Sequence, residues 1–174
     1  MSLTDVTLCG KTLCSPVIAA SGTFGFGGEY AGIVDMKKLG ERTITIDCDV
    51  LQGDGGTRTA SVTGGYVALA LACKKLMAQG LLTEDPLLGS VAAVSAGIVD
   101  DQLLLDLCYE EDSAAQVDLN CVMTDRGQLV EIQGTGEGRS FTIEEQRGLV
   151  DLCAKGIRDI MAIQQAAIRQ GEEN

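Results

Sequence analysis

One stretch of the sequence, from Glu41 to Leu76, limits most strongly what this chain can fold into. It starts with the β-branched run Thr43–Asp47, which predicts a strand, and ends in an Ala- and Leu-rich segment. That segment predicts a buried helix from about residue 59 to residue 79. A polar loop with three glycines, GDGGTR, lies between the two. The sequence therefore predicts a strand–loop–helix unit against which the rest of the chain must pack.

The loop from Gly53 to Arg58 predicts an anion site. Small residues and a guanidinium at the start of a helix bring free backbone N–H groups and the positive end of the helix dipole to one place. An ordinary turn is the alternative, in which Thr57 or Thr59 caps the helix and the glycines only permit tight geometry. Loop composition alone leaves both interpretations open. Phosphate is the anion that the first one favours.

The full string TITIDCDVLQGDGGTRTASVTG resembles ribonuclease PH, a phosphorolytic 3′-to-5′ exoribonuclease that trims tRNA precursors. The resemblance covers about residues 34–172 and corresponds to the second half of that enzyme. It implies that Gly56, Thr57 and Arg58 bind the attacking phosphate. It also implies an α/β (α+β) fold of the ribonuclease PH type, also described as ribosomal protein S5 domain 2-like. In that fold a mixed sheet, incomplete here, packs with two main helices.

Two aspartates form a second candidate site. Asp112 and Asp118 lie six residues apart, and a loop that enters a strand can bring both carboxylates to one metal ion or reacting centre. Mg²⁺ takes a few carboxylate oxygens and completes its shell with water and phosphate, although a merely solvated acidic loop is the alternative. The string EEDSAAQVDLNCVMT matches a ribonuclease PH block. That match implies that Asp112 and Asp118 are metal ligands and catalytic residues, one of them a general acid.

The remaining elements of the second half are predicted from periodicity and turn signals. Strands are expected over residues 91–99, 103–107, 119–123 and 128–132, and the last two form a hairpin. Thr142 and Glu145 form a capping box that starts the final helix. The string VEIQGTGEGRSFTIEE also matches the family. Within it, Gln133, Gly134 and Glu137 are predicted to serve the architecture.

Composition narrows the possible chemistry. The 174 residues suit one domain with an aliphatic core, because only 3% are aromatic. Seven cysteines are scattered and no histidine is present, which excludes mixed zinc sites and nucleophiles activated by histidine. The cysteines are predicted to be reduced core residues. The sequence has neither a run of eighteen apolar residues nor a secretory signal, so we expect a cytoplasmic protein without a membrane partner.

Charge is the main objection to an RNA-binding function. The formal net charge is −12, and only 13 residues are Lys or Arg. Neutralisation of phosphates by basic side chains supplies most non-specific affinity for nucleic acids. We therefore expect any basic groups that contact RNA to be placed locally.

Residues 1–33 differ in character from the rest of the chain. Val6, Leu8 and Leu13 alternate around a Gly-Lys pair and predict a short hairpin. The string SPVIAASGTFGFGGEYAGIVDMKKLG resembles the opening of class 1 dihydroorotate dehydrogenase, and places Ser21 where that family contacts FMN. The FMN-contacting lysine and the rest of the barrel have no counterpart here, so flavin chemistry is rejected. The predicted parts are a dihydroorotate dehydrogenase-like fragment, 1–33, and a ribonuclease PH-like domain, 34–174.

The resemblance to ribonuclease PH implies tRNA nucleotidyltransferase chemistry at RNA 3′ ends, with inorganic phosphate as co-substrate and Mg²⁺ as cofactor. We expect this activity to be impaired, because the family's first half has no counterpart in the sequence. The parent family forms a hexameric ring, and an open sheet edge favours pairing between chains, so a homo-oligomer is expected. The alternatives are a non-catalytic chimeric or truncated domain that self-associates, and an FMN-dependent dehydrogenase fragment.

Overall fold

The computed structural model describes residues 6–8, 11–13, 30 and 32–172. Ser21 and most of the glycine-rich N-terminal string lie outside the described residues. The elements in chain order are β1 (Val6–Leu8), β2 (Lys11–Leu13), α1 (Met36–Leu39), α2 (Thr57–Ala78), β3 (Val91–Val99), β4 (Gln102–Leu105), α3 (Tyr109–Ala114), β5 (Val117–Thr124), β6 (Leu129–Gly136) and α4 (Ile143–Glu172).

The two N-terminal strands pair with each other. β1 and β2 are antiparallel, with Val6 opposite Leu13. This pairing confirms the predicted N-terminal hairpin.

Four further strands form one sheet in the order β4-β3-β5-β6. β3 is apolar along almost its whole length, and eight of its nine residues are buried. Its alternate residues belong to two separate apolar clusters: Val91 and Ala93 pack with α2, whereas Ala92, Val94, Ala96 and Ile98 pack with α4. Because successive strand residues point to opposite faces, different helices cover the two faces of β3.

This arrangement confirms the predicted α/β fold of two main helices on one sheet. All three pairings in this four-stranded sheet are antiparallel, rather than mixed, and tight turns join β3 to β4 and β5 to β6. Asp100 and Asp101 both have positive φ, 49° and 60°, which gives the first turn the twist of a two-residue hairpin. The predicted strand over 103–107 ends earlier, at Leu105, because Asp106 also has a positive φ, 58°.

The strand predicted over Thr43–Asp47 is wrong. Residues 42–50 have no regular secondary structure, and no described strand pairs with them. Ile44 and Ile46 are nevertheless half-buried against the α2 cluster, while Thr45 between them is exposed. β-Branched residues favour a strand only where a neighbouring strand offers packing and hydrogen bonds, and the described residues offer none here.

The two main helices have the predicted bounds and signals. After α2, Gly80 has φ 69° and its N–H donates to Met77 O at 2.9 Å, while the Leu81 N–H donates to Leu76 O at 2.9 Å. These bonds satisfy carbonyls at the end of the helix. At the start of α4, the Glu145 N–H donates to Thr142 Oγ1 at 3.1 Å and the Thr142 N–H to Glu145 Oε2 at 2.7 Å. The predicted capping box is therefore confirmed.

The five cysteines in the described part of the chain are free, and three of them are buried: Cys73, Cys121 and Cys153. This agrees with the prediction of reduced core thiols. Among the described helices, none is both long and apolar enough to span a membrane.

Candidate active site

The first turn of α2 presents the predicted anion loop. Gly56 is the N-cap, with φ 69° and ψ 31°, a left-handed conformation that a residue without a Cβ adopts without strain. Thr57 and Arg58 are the first two residues of the helix. The Thr59 hydroxyl donates to Gly56 O at 2.8 Å, so it does not cap the helix. The alternative in which Thr57 or Thr59 is the N-cap is therefore wrong, and the cap itself offers no side chain to the N–H groups of the first turn.

The loop packs directly on the segment that enters α3. A Cβ on Gly55 would collide with the carbonyl oxygen of Leu107. Oδ1 of Asp54 accepts hydrogen bonds from the Gly55 N–H at 2.9 Å and from the Tyr109 N–H at 2.5 Å. Tyr109 is the first residue of α3. A single carboxylate therefore joins the anion loop to the helix that carries Asp112.

The acidic stretch forms a short helix rather than the predicted loop. Acidic residues fill the first turn of α3, where they interact favourably with the positive end of the helix dipole. A capping box fixes the same end, with the Cys108 N–H donating to Glu111 Oε2 at 3.0 Å. Asp112 lies in this helix and Asp118 in the following strand, β5.

The carboxyl of Asp118 is half-buried and surrounded by negative charge. Burial raises its pKa above the ordinary value, and the nearby carboxylates of Asp112 and Glu137 raise it further. The Asn120 Nδ2 donates to Asp118 Oδ2 at 3.3 Å and opposes this effect. The structure therefore brings Asp112 and Asp118 within electrostatic reach of each other. A raised pKa lets Asp118 hold a proton at higher pH than an ordinary aspartate, as a general acid must.

Arg58 reaches across to the edge strand of the sheet. Its Nη2 donates to Glu131 Oε2 at 2.8 Å, and both side chains are about a quarter to a third exposed. Glu131 lies opposite Val122, whose side chain belongs to the α2 cluster. Sequence reasoning missed Glu131, because 73 positions separate it from Arg58 and no local spacing links them.

Ser95 is a second residue that sequence reasoning missed. It lies in β3 directly opposite Asn120 and is 1% exposed, and in the described part of the chain its Oγ has no hydrogen-bond partner. A Cβ on Gly56 would lie 2.9 Å from that oxygen. The available signal was a serine inside the otherwise apolar strand VAAVSAGIV, because a buried polar side chain needs a partner.

The three residues predicted to be architectural lie on or just after β6. Gln133 is exposed and lies opposite Asn120. A Cβ on Gly134 would lie 3.4 Å from the Phe141 ring and 3.5 Å from Leu119, so this position allows the strand to pack closely. The Glu137 N–H donates to Gln116 O at 3.0 Å, and the charge of its carboxylate raises the pKa of Asp118.

The described residues contain no group of three or more His, Cys, Asp or Glu side chains able to hold a metal ion. Mg²⁺ does not need such a cage, because it keeps several waters and binds through one or two carboxylates plus phosphate oxygens. Asp112 and Asp118 therefore fit this ion as a pair. At the anion loop, a groove of about 530 Å³ runs along residues 47–52 and opens onto Gly55, Thr57 and Ser61.

Comparison with known proteins gives one family match, whose range contains Asp112 and Asp118 but not the anion loop. Residues 89–156 match the model of the 3′ exoribonuclease family, domain 2. Ribonuclease PH of Corynebacterium glutamicum (strain R) is 56% identical over 142 residues, which are 82% of this chain and 58% of that protein. Ribonuclease PH of Bacillus pumilus (strain SAFR-032) is 54% identical over 141 residues, 80% of this chain and 58% of that protein.

The chain thus spans somewhat more than half the length of these curated relatives. Among solved structures, the crystal structure of rice (Oryza sativa) Rrp46 is similar, with a TM-score of 0.53 over 68% of this chain and 51% of that one. Its sequence identity is 16%, so this likeness concerns the fold alone.

Proposed function

We propose, from the match of residues 89–156 to the second domain of the 3′ exoribonuclease family, that this chain is a ribonuclease PH-type enzyme. Its reaction is phosphorolysis: inorganic phosphate shortens an RNA from its 3′ end and releases nucleoside diphosphates. The substrate class is tRNA with extra 3′ nucleotides, as the resemblance to ribonuclease PH implies. This substrate also implies a cytoplasmic location.

One observation carries the proposal. The Asp54 carboxylate accepts hydrogen bonds from the anion loop and from the first residue of α3, which supports one site formed by the first turn of α2 and the acidic pair. Phosphorolysis needs these two functions side by side. An anion must be held for attack, and a proton must be supplied to the leaving oxygen.

Each residue has a distinct role in this scheme. The backbone N–H groups at Gly56, Thr57 and Arg58 hold the phosphate at the positive end of α2, and the Arg58 guanidinium adds charge. A phosphate oxygen attacks the terminal phosphorus, forming one P–O bond while the bond to the 3′ oxygen of the penultimate nucleotide breaks. Asp118, with its raised pKa, gives its proton to that leaving oxygen.

Mg²⁺, when bound, neutralises charge on the phosphates, and Asp112 and Asp118 would hold it. Asp112 has a further effect that needs no metal, because its carboxylate raises the pKa of Asp118. The raised pKa lets Asp118 keep its proton to a higher pH than an ordinary aspartate does.

Self-association without turnover is the second candidate. β6 is an edge strand, and Leu129, Val130 and Ile132 on it are 48%, 38% and 37% exposed. An exposed apolar edge offers hydrogen bonds and contacts to another chain. In this second candidate the chain is a folded domain that forms homo-oligomers. Residues 1–33 are then a fragment of the dihydroorotate dehydrogenase type, as their resemblance to that family implies.

The test is incubation of the chain with a tRNA that carries extra 3′ nucleotides, with Mg²⁺ and with or without inorganic phosphate. Phosphate-dependent shortening with release of nucleoside diphosphates is expected. A folded, oligomeric chain without turnover would contradict the enzyme and favour the second candidate. Hydrolysis to nucleoside monophosphates in the absence of phosphate would contradict both.

A further inference from the structure

Ser95 lies beneath the start of α2. Its side chain is on the face of β3 that packs against α2, since Ala93, two residues earlier, belongs to the α2 cluster. A Cβ on the N-cap Gly56 would lie 2.9 Å from Ser95 Oγ and 3.0 Å from Thr59 Oγ1. The hydroxyl of Ser95 is therefore close to the left-handed turn from which the first N–H groups of α2 project.

The two hydroxyls beside Gly56 differ in their hydrogen bonds. Thr59 Oγ1 donates to Gly56 O at 2.8 Å. Ser95 Oγ has no hydrogen-bond partner among the described residues, although Ser95 is only 1% exposed. Burying a hydroxyl without a partner is unfavourable, and buried polar groups in folded proteins almost always have one. At the start of α2, a bound anion can supply the partner that no described residue offers.

We infer that Ser95 is a ligand of the anion bound at the start of α2, its hydroxyl donating to an oxygen of inorganic phosphate from the sheet side. The inference rests on the proposed phosphate site and adds to it a residue from β3. Phosphate is then bound by the backbone N–H groups of α2, by the Arg58 guanidinium and by the buried, uncharged hydroxyl of Ser95. Such a donor has lost its contact with water before the anion arrives, so its bond to a charged oxygen adds to affinity.

This position also explains why Gly56 must lack a side chain. A Cβ there would occupy the space between the loop and Ser95. The left-handed φ of 69° already disfavours other residues, so the site combines a backbone and a steric requirement at one position.

The test compares Ser95→Ala with Ser90→Ala as a matched control. Ser90 is also buried, at 5% exposure, but it precedes β3 and contacts Tyr66 at the other end of the α2 face. The affinity for inorganic phosphate is measured in two ways, by calorimetric titration and by the shift in melting temperature with phosphate concentration. Neither measurement requires turnover. We expect roughly 10- to 100-fold weaker phosphate binding for Ser95→Ala, the range typical for loss of a hydrogen bond to a charged group. Ser90→Ala should bind phosphate like the unsubstituted chain.

The melting temperature without phosphate separates this inference from a purely structural role for Ser95. Ser95→Ala removes a hydroxyl that has no partner in the absence of the anion, so the phosphate-free melting temperature should stay the same or rise. A large fall in that temperature, or failure to fold, would overturn the inference. Phosphate affinity equal to that of the unsubstituted chain would also overturn it.

A second titration separates free phosphate from the phosphodiester of RNA. An oligoribonucleotide with hydroxyls at both ends should bind Ser95→Ala and the unsubstituted chain equally. Loss of RNA affinity with unchanged phosphate affinity would overturn the assignment to inorganic phosphate.

These results are distinguishable from failure of the proposed function. Suppose that Ser95→Ala weakens phosphate binding but the unsubstituted chain does not shorten RNA. The role of Ser95 as a phosphate ligand would then stand, and the proposed enzymatic activity would be rejected. If Ser95→Ala and the unsubstituted chain shorten RNA by phosphorolysis at the same rate, the proposed activity stands and the role of Ser95 is rejected. An unsubstituted chain that does not bind phosphate would reject the inference together with the roles of Gly56, Thr57 and Arg58.

Discussion

Nη2 of Arg58 donates a hydrogen bond to Glu131 Oε2 at 2.8 Å, which joins the first turn of α2 to the edge strand β6. The contact holds the guanidinium of the anion loop over the sheet that carries Asp118. Glu131 orients the arginine but also competes with any anion for its charge. This ion pair links the loop to the sheet, so substitution of Arg58 or of Glu131 should change anion binding at the loop.

Arg58→Ala should abolish most phosphate-dependent RNA shortening, because it removes a positioned donor from the attacking anion. Loss of one such donor typically lowers kcat by about 10² to 10³. Steady-state rates of nucleoside diphosphate release measure the effect. Arg126→Ala is the matched control, since Arg126 lies in the exposed turn between β5 and β6. Equal rates for Arg58→Ala and the control would show that Arg58 has no role in turnover.

Gly55→Ala should separate the anion loop from α3, because its Cβ would collide with the backbone of Leu107. A misplacement of about 1 Å at a reacting group can cost about 10²-fold in rate. Gly53→Ala tests the same loop without this contact, since nothing lies within 4 Å of a Cβ there. Turnover by the two variants is compared. Similar rates would contradict the close coupling of the loop to α3.

Glu137→Gln should shift the pH dependence of turnover. Burial, Asp112 and Glu137 together raise the pKa of Asp118, so removing the Glu137 charge lowers it. A general acid loses activity as pH rises through its pKa, and the falling alkaline limb should therefore move to lower pH. A profile of kcat against pH measures the shift. An unchanged limb, or one that moves to higher pH, would exclude Asp118 as the acid that sets it.

Glu145→Gln tests the capping box at the start of α4. The Arg139 guanidinium and the Thr142 N–H lower the pKa of Glu145 from 4.5 to about 2. A lowered pKa in the folded state gives stability that is present above pH 4.5 and is lost as pH falls towards about 2. The difference in melting temperature between the unsubstituted chain and Glu145→Gln should shrink over that interval. A constant difference would mean that ionisation of Glu145 contributes nothing.

Local signals in the sequence predicted most of the fold. The apolar run of β3, the hairpin between β5 and β6 and the capping box of Thr142 and Glu145 were all found, because each depends on neighbouring residues only. The prediction of a strand over Thr43–Asp47 was wrong because strand formation depends on more than neighbouring residues. Its residues have the right propensity and alternation, but a strand also requires a partner, and none is present among the described residues.

The candidate site was predicted only in part, again for a physical reason. Gly56, Thr57 and Arg58, and the pair Asp112 and Asp118, stand out in continuous strings. Glu131 and Ser95 reach the anion loop across the sheet, and such long-range contacts leave no mark on local spacing. Loop composition could not decide the N-cap, because a left-handed glycine and a threonine N-cap are compatible with the same string.

The measurement that tests the account most directly uses isotopically labelled inorganic phosphate. The chain is incubated with a tRNA that carries extra 3′ nucleotides, with Mg²⁺, and the released nucleotides are separated. The account predicts label in the terminal phosphate of nucleoside diphosphates, one for each nucleotide removed. Unlabelled nucleoside monophosphates, or no release at all from a folded chain, would contradict it.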